Sequence, residues 1–232
     1  MQIIPRSSSL PTDSLTSTSY AVLGLLALQP GSAYDLVREA RRSLRHFWPR
    51  AERLLYEEPK RLEALRLVRG HEERTGRRVR TVYEITEAGR RALAEWFERP
   101  SAGPQFESEA VLKASLGDLT TKDRLLSAIA ELRAQAEEGL AEGRAIARAV
   151  LDGQGPSPER IHVVALMYEF VFSHFETMGR WATWAERQVQ HWPNPSTPDD
   201  PSRALEVFRR ALRRPSGRPA RARPAGPQRG RA

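Results

Sequence analysis

One stretch of the sequence, residues 44–100, limits the fold of this chain more than any other. A helical pattern over residues 44–68 is followed by an arginine-rich hairpin, and the segment VYEITEAGR at residues 82–90 leads into another helix. A helix, a two-stranded wing and a further helix are the parts of a winged helix-turn-helix, in which one helix enters the major groove of DNA and the wing reaches phosphates. The order of these parts predicts a DNA-binding domain.

Composition narrows the class of protein. The 232 residues are enough to bury one ordinary core or two small ones. The longest apolar run, residues 20–28, is far shorter than the roughly 20 residues of a membrane-spanning helix, and residues 1–14 lack the apolar centre of a secretory signal. The chain has no cysteine, which excludes disulfides, thiolate metal sites and a cysteine nucleophile. We therefore expect a cytoplasmic protein with no membrane association.

Charge is spread unevenly along the chain, whose formal net charge is +8. Residues 15–100 have 17 basic and 12 acidic side chains, residues 101–192 have 9 and 13, and residues 193–232 have 10 and 3. Basic ends around an acidic middle favour a polyanionic partner for the ends and a different role for the centre. Because 34 of the 37 basic residues are arginine, the placement of arginines is more informative than their number.

The pattern along the chain divides it into five parts. We expect a disordered N-terminus at 1–14, a winged-helix domain at 15–100, a linker at 101–106, a helical dimerisation and effector domain at 107–192, and a mostly disordered Pro/Arg-rich tail at 193–232. The predicted fold class is mainly α with a small β-hairpin wing. A short basic helix fits residues 201–214 of the tail. The tail arginines either add salt-dependent affinity for nucleic acid or belong to an unselected terminus.

Capping signals place the helices of the first domain. Hydroxyls at residues 16–19 can cap a first helix, in which we expect Gly24 to admit a closely packed neighbour. Ser32 can cap a second helix. Pro59 lies inside the third helix and removes a backbone hydrogen bond, so we expect a kink at residues 55–59 or a break into two helices.

Apolar periodicity predicts which faces of these elements are buried. At 100° per residue, Tyr34 and Val37 fall on the core side of the second helix, and Leu54 and Leu55 on that of the third. The hairpin that follows has its tip at residues 73–78.

Nine side chains are candidates for contact with DNA. Arginine can bond guanine with two hydrogen bonds, lysine can reach phosphate or guanine, and a tyrosine hydroxyl suits phosphate. The alternative is an ordinary solvated helix face and an exposed basic turn. The candidates on the third helix are Arg50, Arg53, Tyr56, Lys60 and Arg61, and those on the hairpin are Arg74, Arg77, Arg78 and Arg80.

The second half of the chain is predicted to consist of helices with an excess of apolar surface. The last long helix, residues 158–191, has a stripe of Leu166, Phe170, Ser173, Thr177, Trp181 and Trp184 and further apolar residues outside it. One partner helix cannot cover all of this surface, so we expect it to pair with another subunit or with the first domain. A small hydrophobic or aromatic effector is the secondary interpretation, with Trp96, Phe170, His174 and Trp181 as candidate binding residues.

No constellation of catalytic residues stands out. His162 and His174 share a helix with Glu169 but lack metal-ligand spacing, and the sequence has neither a glycine-rich phosphate loop nor a serine elbow. The prediction is therefore a protein that is not an enzyme and that needs no metal or cofactor.

With these residues in view, residues 18–100 resemble the DNA-binding domain of PadR-family transcriptional regulators. The similarity rests on an ordered set of short segments: YAVLGLLA at 20–27, Gly31 with YDL at 34–36, FWP at 47–49, LY at 55–56, KRLEAL at 60–65 and VYEITEAGR at 82–90. Residues 105–192 resemble, more loosely, the helical C-terminal domain of the longer members.

The resemblance implies a homodimeric winged-helix repressor that binds a palindromic operator and releases it when a small effector or a stress signal acts. It places Tyr56, Lys60 and the wing arginines where the family contacts DNA, and Trp96 on the helix that lines the effector pore of short members. The chain departs from the family pattern at Pro59, where many members have a helix former, and at Arg66, where a glycine commonly leads into the wing.

Two rival hypotheses remain at the level of sequence. A protein-interaction adaptor could keep the winged-helix fold without sequence-specific DNA binding. A small-molecule enzyme built on the C-terminal helices would need clustered acid, base or metal-binding groups.

Overall fold

The computed structural model of the chain describes residues 15–48, 52–75, 78–155, 158–197 and 201–213. The chain divides into two compact units, Met1–Phe106 and Glu107–Ala232. The first unit contains α1 (Ser17–Leu28), α2 (Ala33–Ser43), α3 (Glu52–Ala64), β1 (Val68–Thr75), β2 (Arg78–Ile85) and α4 (Glu87–Phe97). The second contains α5 (Glu109–Ser115), α6 (Lys122–Ala149), α7 (Ile161–Gln190) and α8 (Pro201–Arg213). The predicted class, mainly helical with one β-hairpin, is confirmed.

Polar side chains cap the N-termini of the first two helices. Thr16 and Ser19 form a reciprocal capping box at the start of α1, and Ser32 and Asp35 form another at the start of α2. Each box satisfies backbone N–H groups that have no partner within the helix. The predicted starts of both helices are therefore confirmed.

The third helix is continuous through its proline. Pro59 lies inside α3 and is fully buried, so the predicted break into two helices is wrong. The helix ends in a Schellman motif: the Leu67 N–H donates to the Leu62 carbonyl at 2.9 Å, and the Arg66 N–H donates to the Glu63 carbonyl at 2.8 Å. Arg66 has a φ of 60°, in the left-handed region where glycine is usual.

The wing is a tight antiparallel hairpin. Thr75 pairs with Arg78, which leaves a two-residue connection in place of the six-residue tip expected from the sequence. A short bridge between Gly31 and Tyr83 adds the α1–α2 turn to the free edge of β2, with N···O distances of 3.1 and 2.9 Å. The wing is thereby fixed to the helices at its base.

A single core joins the elements of the first unit. Its largest fully buried side chains include Leu23, Leu26, Leu62 and Leu67. Three expectations about packing fail. Tyr34 is 63% exposed and Leu54 is 46% exposed, whereas Leu36 and Leu55 are buried, and a Cβ added to Gly24 would have nothing within 4 Å of it.

The start of α4 is built against the start of the wing. Thr86 caps α4 by accepting from the Gly89 N–H, and its hydroxyl donates to the Leu67 carbonyl at 3.0 Å. A Cβ on Gly89 would lie 2.1 Å from that same carbonyl oxygen. Glycine is therefore required where the helix backbone meets the wing backbone.

The second unit is a long helical hairpin covered at one end. Helix α5 packs with α6 and α7 around Ala110, Leu125, Ile129, Leu132 and Ala182. The rings of Phe172 and Phe175 lie against Gly143 and Gly139 of α6. The predicted stripe of α7 is therefore only partly covered: Trp181 and Trp184 pack against the core, whereas Leu166 and Phe170 are 67% and 58% exposed.

The remaining features concern the ends of the chain. Residues 101–108 have no regular structure, and α8 lies within the predicted tail. The predicted disorder of residues 1–14, and of the tail at 198–200 and 214–232, lies outside the described residues. Within the part of the chain that is described, none of the helices has both the length and the apolar character needed to cross a membrane.

Candidate nucleic-acid interface

The outer face of α3 presents a row of polar side chains. Arg53, Tyr56 and Lys60 are all exposed, and their spacing of three and four residues places them along one side of the helix. Arg53 donates to the Glu57 carboxylate at 2.8 Å, and this hydrogen bond raises the pKa of the guanidinium above its usual value. The row can therefore offer hydrogen-bond donors to base edges or phosphates.

The inner side of α3 anchors the helix to α1. The Ser19 hydroxyl, fully buried, donates to Glu58 Oε1 at 2.6 Å, and Arg61 Nη1 donates to the same oxygen at 2.6 Å. Arg61 also donates to Ser19 Oγ at 3.2 Å. Arg61 is thus part of the α1–α3 contact and lies away from the row formed by Arg53, Tyr56 and Lys60.

A second polar contact ties α3 to the wing. Glu63 accepts from the Gly70 N–H of β1 at 2.8 Å. A side chain on Gly70 would collide with that carboxylate, since a Cβ there would lie 2.7 Å from Glu63 Oε1. Burial, followed by the charge of Glu63, raises the pKa of the nearby Tyr83. These contacts set the position of the wing relative to the outer face of α3.

The wing arginines differ in their surroundings. Arg80 donates through Nε to Glu73 at 2.8 Å, directly across the ladder, and its Nη1 lies 3.4 Å from Asp35 of α2. The contact with Glu73 is the main cause that raises the pKa of Arg80. Arg74 is exposed on β1. Arg50 and Arg77 lie outside the described residues, and of Arg78 only the backbone, at the start of β2, is described.

Asp35 is the junction between α2 and the wing. Its pKa is lowered chiefly by the hydrogen bond from the Ser32 hydroxyl at 2.7 Å, with further contributions from Arg38 and Arg80. An open groove of about 410 Å³ runs past this carboxylate between the α1–α2 turn and the wing, and His71, Glu73 and Arg80 also line it. The groove is mixed in charge and contains none of the four candidate effector residues.

Those four effector candidates are divided between the two units. Trp96 belongs to the first unit, where its ring stacks on Tyr20 with centroids 5.0 Å apart and an interplanar angle of 9°. Phe170, His174 and Trp181 belong to the second, on one side of α7 at spacings of four and seven residues. His174 contacts Phe175, with centroids 5.9 Å apart, and Trp181 packs against the core beside α5.

Sequence reasoning missed the acidic side chains that position the interface. Asp35, Glu58 and Glu63 each join two elements, but only Asp35 had a signal, the capping box with Ser32. The described residues contain no group of three or more His, Asp or Glu side chains arranged to hold a metal ion. Asp35, Glu58 and Glu63 thus connect the elements that surround the exposed row on α3.

A comparison with family models finds a similarity within the first unit. Residues 22–95 match the model of the transcriptional regulator PadR-like family. None of the curated proteins matches the chain.

Solved structures extend the similarity to a larger part of the chain. Bacillus subtilis PadR in complex with operator DNA superposes with a TM-score of 0.68 at 18% identity, covering 76% of this chain and 99% of that one. The same protein in complex with p-coumaric acid gives 0.60 at 18% identity, covering 77% and 100%. The Vibrio cholerae virulence activator AphA gives 0.58 at 23% identity, covering 75% and 98%. At these identities the comparison establishes a shared fold.

Proposed function

We propose, because residues 22–95 match the model of the transcriptional regulator PadR-like family, that the protein is a sequence-specific DNA-binding regulator that acts as a repressor. The observation that carries the proposal is the exposed row Arg53, Tyr56 and Lys60 on α3, beside a wing fixed to the same helix by Glu63. Its place of action is the cytoplasm, and its activity is binding without catalysis.

In the proposed complex, α3 enters the major groove. Arg53 and Lys60 contact base edges or adjacent phosphates, and Tyr56 donates to a phosphate. In the free protein, the hydrogen bond to Glu57 keeps the Arg53 guanidinium in the row. On binding, the base pair either replaces Glu57 as the acceptor or shares the guanidinium with it. The hydrogen bonds among Ser19, Glu58 and Arg61 fix the position of α3 relative to α1. The row on α3 therefore approaches the groove as a rigid surface.

The wings bind the flanking backbone. Arg74, Arg77 and Arg78 are the proposed phosphate contacts, while Arg80 is held by Glu73 and Asp35 and orients the wing. Two copies are required for a palindromic operator, with half-sites about 34 Å apart, one turn of duplex. We place the homodimer contact on the exposed apolar end of α6 and α7.

The proposal is tested by fluorescence anisotropy with labelled duplex from upstream of the protein's own gene. Affinity should fall steeply between about 50 and 200 mM salt, as counterion release requires. Replacing Arg53 with Ala should weaken binding by about 10- to 100-fold and relax specificity. The double variant Arg77→Ala/Arg78→Ala should weaken binding to all sequences and flatten the salt dependence.

A matched control separates specific contact from loss of charge. Arg91 is an exposed arginine of α4, and Arg91→Ala should leave the affinity unchanged. An equal loss in the Arg91 variant, or full affinity in the wing double variant, would refute the assignment of the interface.

The alternative function is a protein-interaction adaptor on the same fold. The observation that favours it is the pairing of Arg53 with Glu57 and of Arg80 with Glu73, which neutralises part of the basic surface. An adaptor would show no preference among duplex sequences, and its binding to a protein partner would be insensitive to salt.

We further propose that a small hydrophobic or aromatic effector releases the DNA, consistent with the p-coumaric acid complex of the related fold. Trp96 and the α7 residues Phe170, His174 and Trp181 are the candidate contacts. Aromatic acids should lower the anisotropy of the bound operator, and Trp96→Ala or Phe170→Ala should raise the concentration needed. An effector response unchanged in both variants would remove Trp96 and Phe170 from the proposal.

A further inference from the structure

Helix α8, Pro201–Arg213, has two chemically distinct sides. At 100° per residue, its six apolar side chains fall within one arc of about 160°. The charged side chains and Ser202 fill the opposite arc. The apolar set is Ala204, Leu205, Val207, Phe208, Ala211 and Leu212.

The apolar side of α8 is exposed. Leu205 is 50% exposed, Phe208 68% and Leu212 88%. These three residues are spaced by three and four positions, so they form a continuous ridge of large side chains along the helix. Exposure of such an apolar ridge to water is unfavourable in free energy. We therefore expect the ridge to be covered in the functional state.

The polar side is strongly basic. Four arginines of α8 stand against one glutamate, Glu206, which lies 3.6 Å from Arg209 and 3.3 Å from Arg213. Arg203 and Arg209 lie at the two borders between the polar and apolar arcs. Cations at these borders can reach anions at the level where the apolar ridge is buried, because their long stems extend along the apolar surface.

We propose that α8 binds an anionic lipid surface, lying in the interface plane with Leu205, Phe208 and Leu212 inserted among acyl chains and the arginines against lipid phosphates. A basic amphipathic helix of low mean hydropathy with Leu and Phe on one face has the composition of interfacial helices. Nucleic acid would match the charge but would leave the ridge in water. The anionic bilayer complements both sides of the helix.

The test uses the full-length chain and sedimentation with vesicles. Vesicles of phosphatidylglycerol mixed with phosphatidylcholine should bind the protein, and those of phosphatidylcholine alone should bind it at least about tenfold more weakly. The variant Phe208→Glu/Leu212→Glu should lose binding by about tenfold or more, because the ridge can no longer insert. A second variant, Arg209→Gln/Arg210→Gln, should reduce binding only to the anionic vesicles.

The matched control places the same charges on exposed leucines elsewhere in the second unit. Leu112 and Leu119 are 59% and 78% exposed, and Leu112→Glu/Leu119→Glu should bind vesicles as the unaltered protein does. Circular dichroism and urea unfolding establish that each variant is folded.

Three results would overturn the proposal. Vesicle binding that persists in the Phe208/Leu212 variant would assign it to other arginines of the chain. A change in molar mass by light scattering in that variant would show that a second copy covers the ridge. A loss of operator affinity in the Arg209/Arg210 variant, with vesicle binding unchanged, would assign the helix to DNA.

Discussion

The two units of the protein bury their apolar residues in different ways. In the first unit every helix and both strands contribute side chains to one core. Polar contacts of Asp35, Glu58 and Glu63 connect neighbouring elements. In the second, the buried residues of α6 lie between Leu125 and Gly139 and those of α7 between Ala182 and Val189, so burial is confined to the end covered by α5.

The opposite end of the α6–α7 hairpin exposes large apolar side chains. Ile146, Leu151, Ile161, Val163, Leu166, Met167 and Phe170 are between 38% and 85% exposed. The first unit therefore has one core shared by all its elements, whereas the second has a cluster of apolar surface that its own helices do not cover. A second copy of the chain is the proposed cover, and substitutions in either unit can test this contrast.

The largest effect is expected at the joint between α4 and the wing. Gly89→Ala places a methyl 2.1 Å from the Leu67 carbonyl oxygen, and two backbone segments must separate to admit it. We expect the first unit to lose about 3 kcal/mol of unfolding free energy, because overpacking against backbone cannot be relieved by a rotamer change. Hydrogen exchange measured by mass spectrometry should show faster exchange in α1–α4 and unchanged exchange in α6.

Gly24→Ala is the control for this prediction. It lies inside α1 with nothing within 4 Å of the added methyl, so it should stabilise the unit by up to about 1 kcal/mol. If Gly89→Ala lowered the unfolding free energy no more than Gly24→Ala does, the backbones of α4 and the wing would be less closely packed than the structure indicates.

The next largest effect is expected at the end of the α6–α7 hairpin that lies opposite α5, here called the open end of the second unit. Leu151→Glu/Leu166→Glu introduces two charges on side chains that are 85% and 67% exposed. We expect the dimer dissociation constant to rise by about 30-fold or more, as for removal of interface anchors, with little change in the unfolding of the monomer. Light scattering over a dilution series measures this change.

The variant Leu112→Glu/Leu119→Glu again serves as the comparison, since it adds equal charge outside the proposed contact. A molar mass that stays at that of two chains in the Leu151/Leu166 variant would place the dimer contact elsewhere. A loss of helical structure in that variant would instead mean that the open end belongs to the fold of the monomer.

A smaller effect should follow from Asp35→Asn, which tests the role of polar joints in the first unit. The folded protein holds the pKa of Asp35 below its usual value, so the stabilisation is present at neutral pH and is lost as the pH falls through the lowered pKa. We expect a loss of about 1–2 kcal/mol at pH 7, from the cap and the contacts with Arg38 and Arg80.

Urea unfolding at several pH values measures this difference. The gap between Asp35→Asn and the unaltered protein should shrink as acid protonates Asp35. Glu87→Gln, at an exposed first-turn position of α4, should have little effect at any pH. A gap that is constant with pH would contradict the assigned role of the Asp35 charge.

Much of the first unit could be predicted from local signals. Thr16, Ser32 and Thr86 cap helices through short-range hydrogen bonds, and such contacts depend only on neighbouring residues. The predictions that failed depend on distant packing. Pro59 is fully buried within a continuous helix, next to Glu58, which contacts Ser19 of α1. Tyr34 is exposed, whereas Leu36 of the same helix is in the core.

The candidate site was predictable only in part. The spacing of Arg53, Tyr56 and Lys60 specified an outward row on α3. The inward role of Arg61 arises from its contact with Ser19, 42 residues away in sequence. The wing contact of Glu63 is with Gly70, seven residues away, and depends on how the turn after α3 places β1. The face of α7 that meets α6 was also beyond prediction, because it depends on Gly139 and Gly143 of the other helix.

The smallest effect should come from relieving a strained residue within the closed unit. Arg66 holds a φ of 60° at the end of α3, where the Schellman motif turns the chain into β1. A left-handed conformation costs a side-chain-bearing residue about 1–2 kcal/mol, and glycine escapes this cost but has greater freedom in the unfolded chain. We therefore expect Arg66→Gly to stabilise the first unit by about 1 kcal/mol, measured by urea unfolding, while Arg69→Gly on β1 should destabilise it. If Arg66→Gly also destabilises the first unit, then contacts of the Arg66 side chain stabilise the unit by more than the backbone strain costs. The stability of the first unit would then depend on its surface side chains more than on its core.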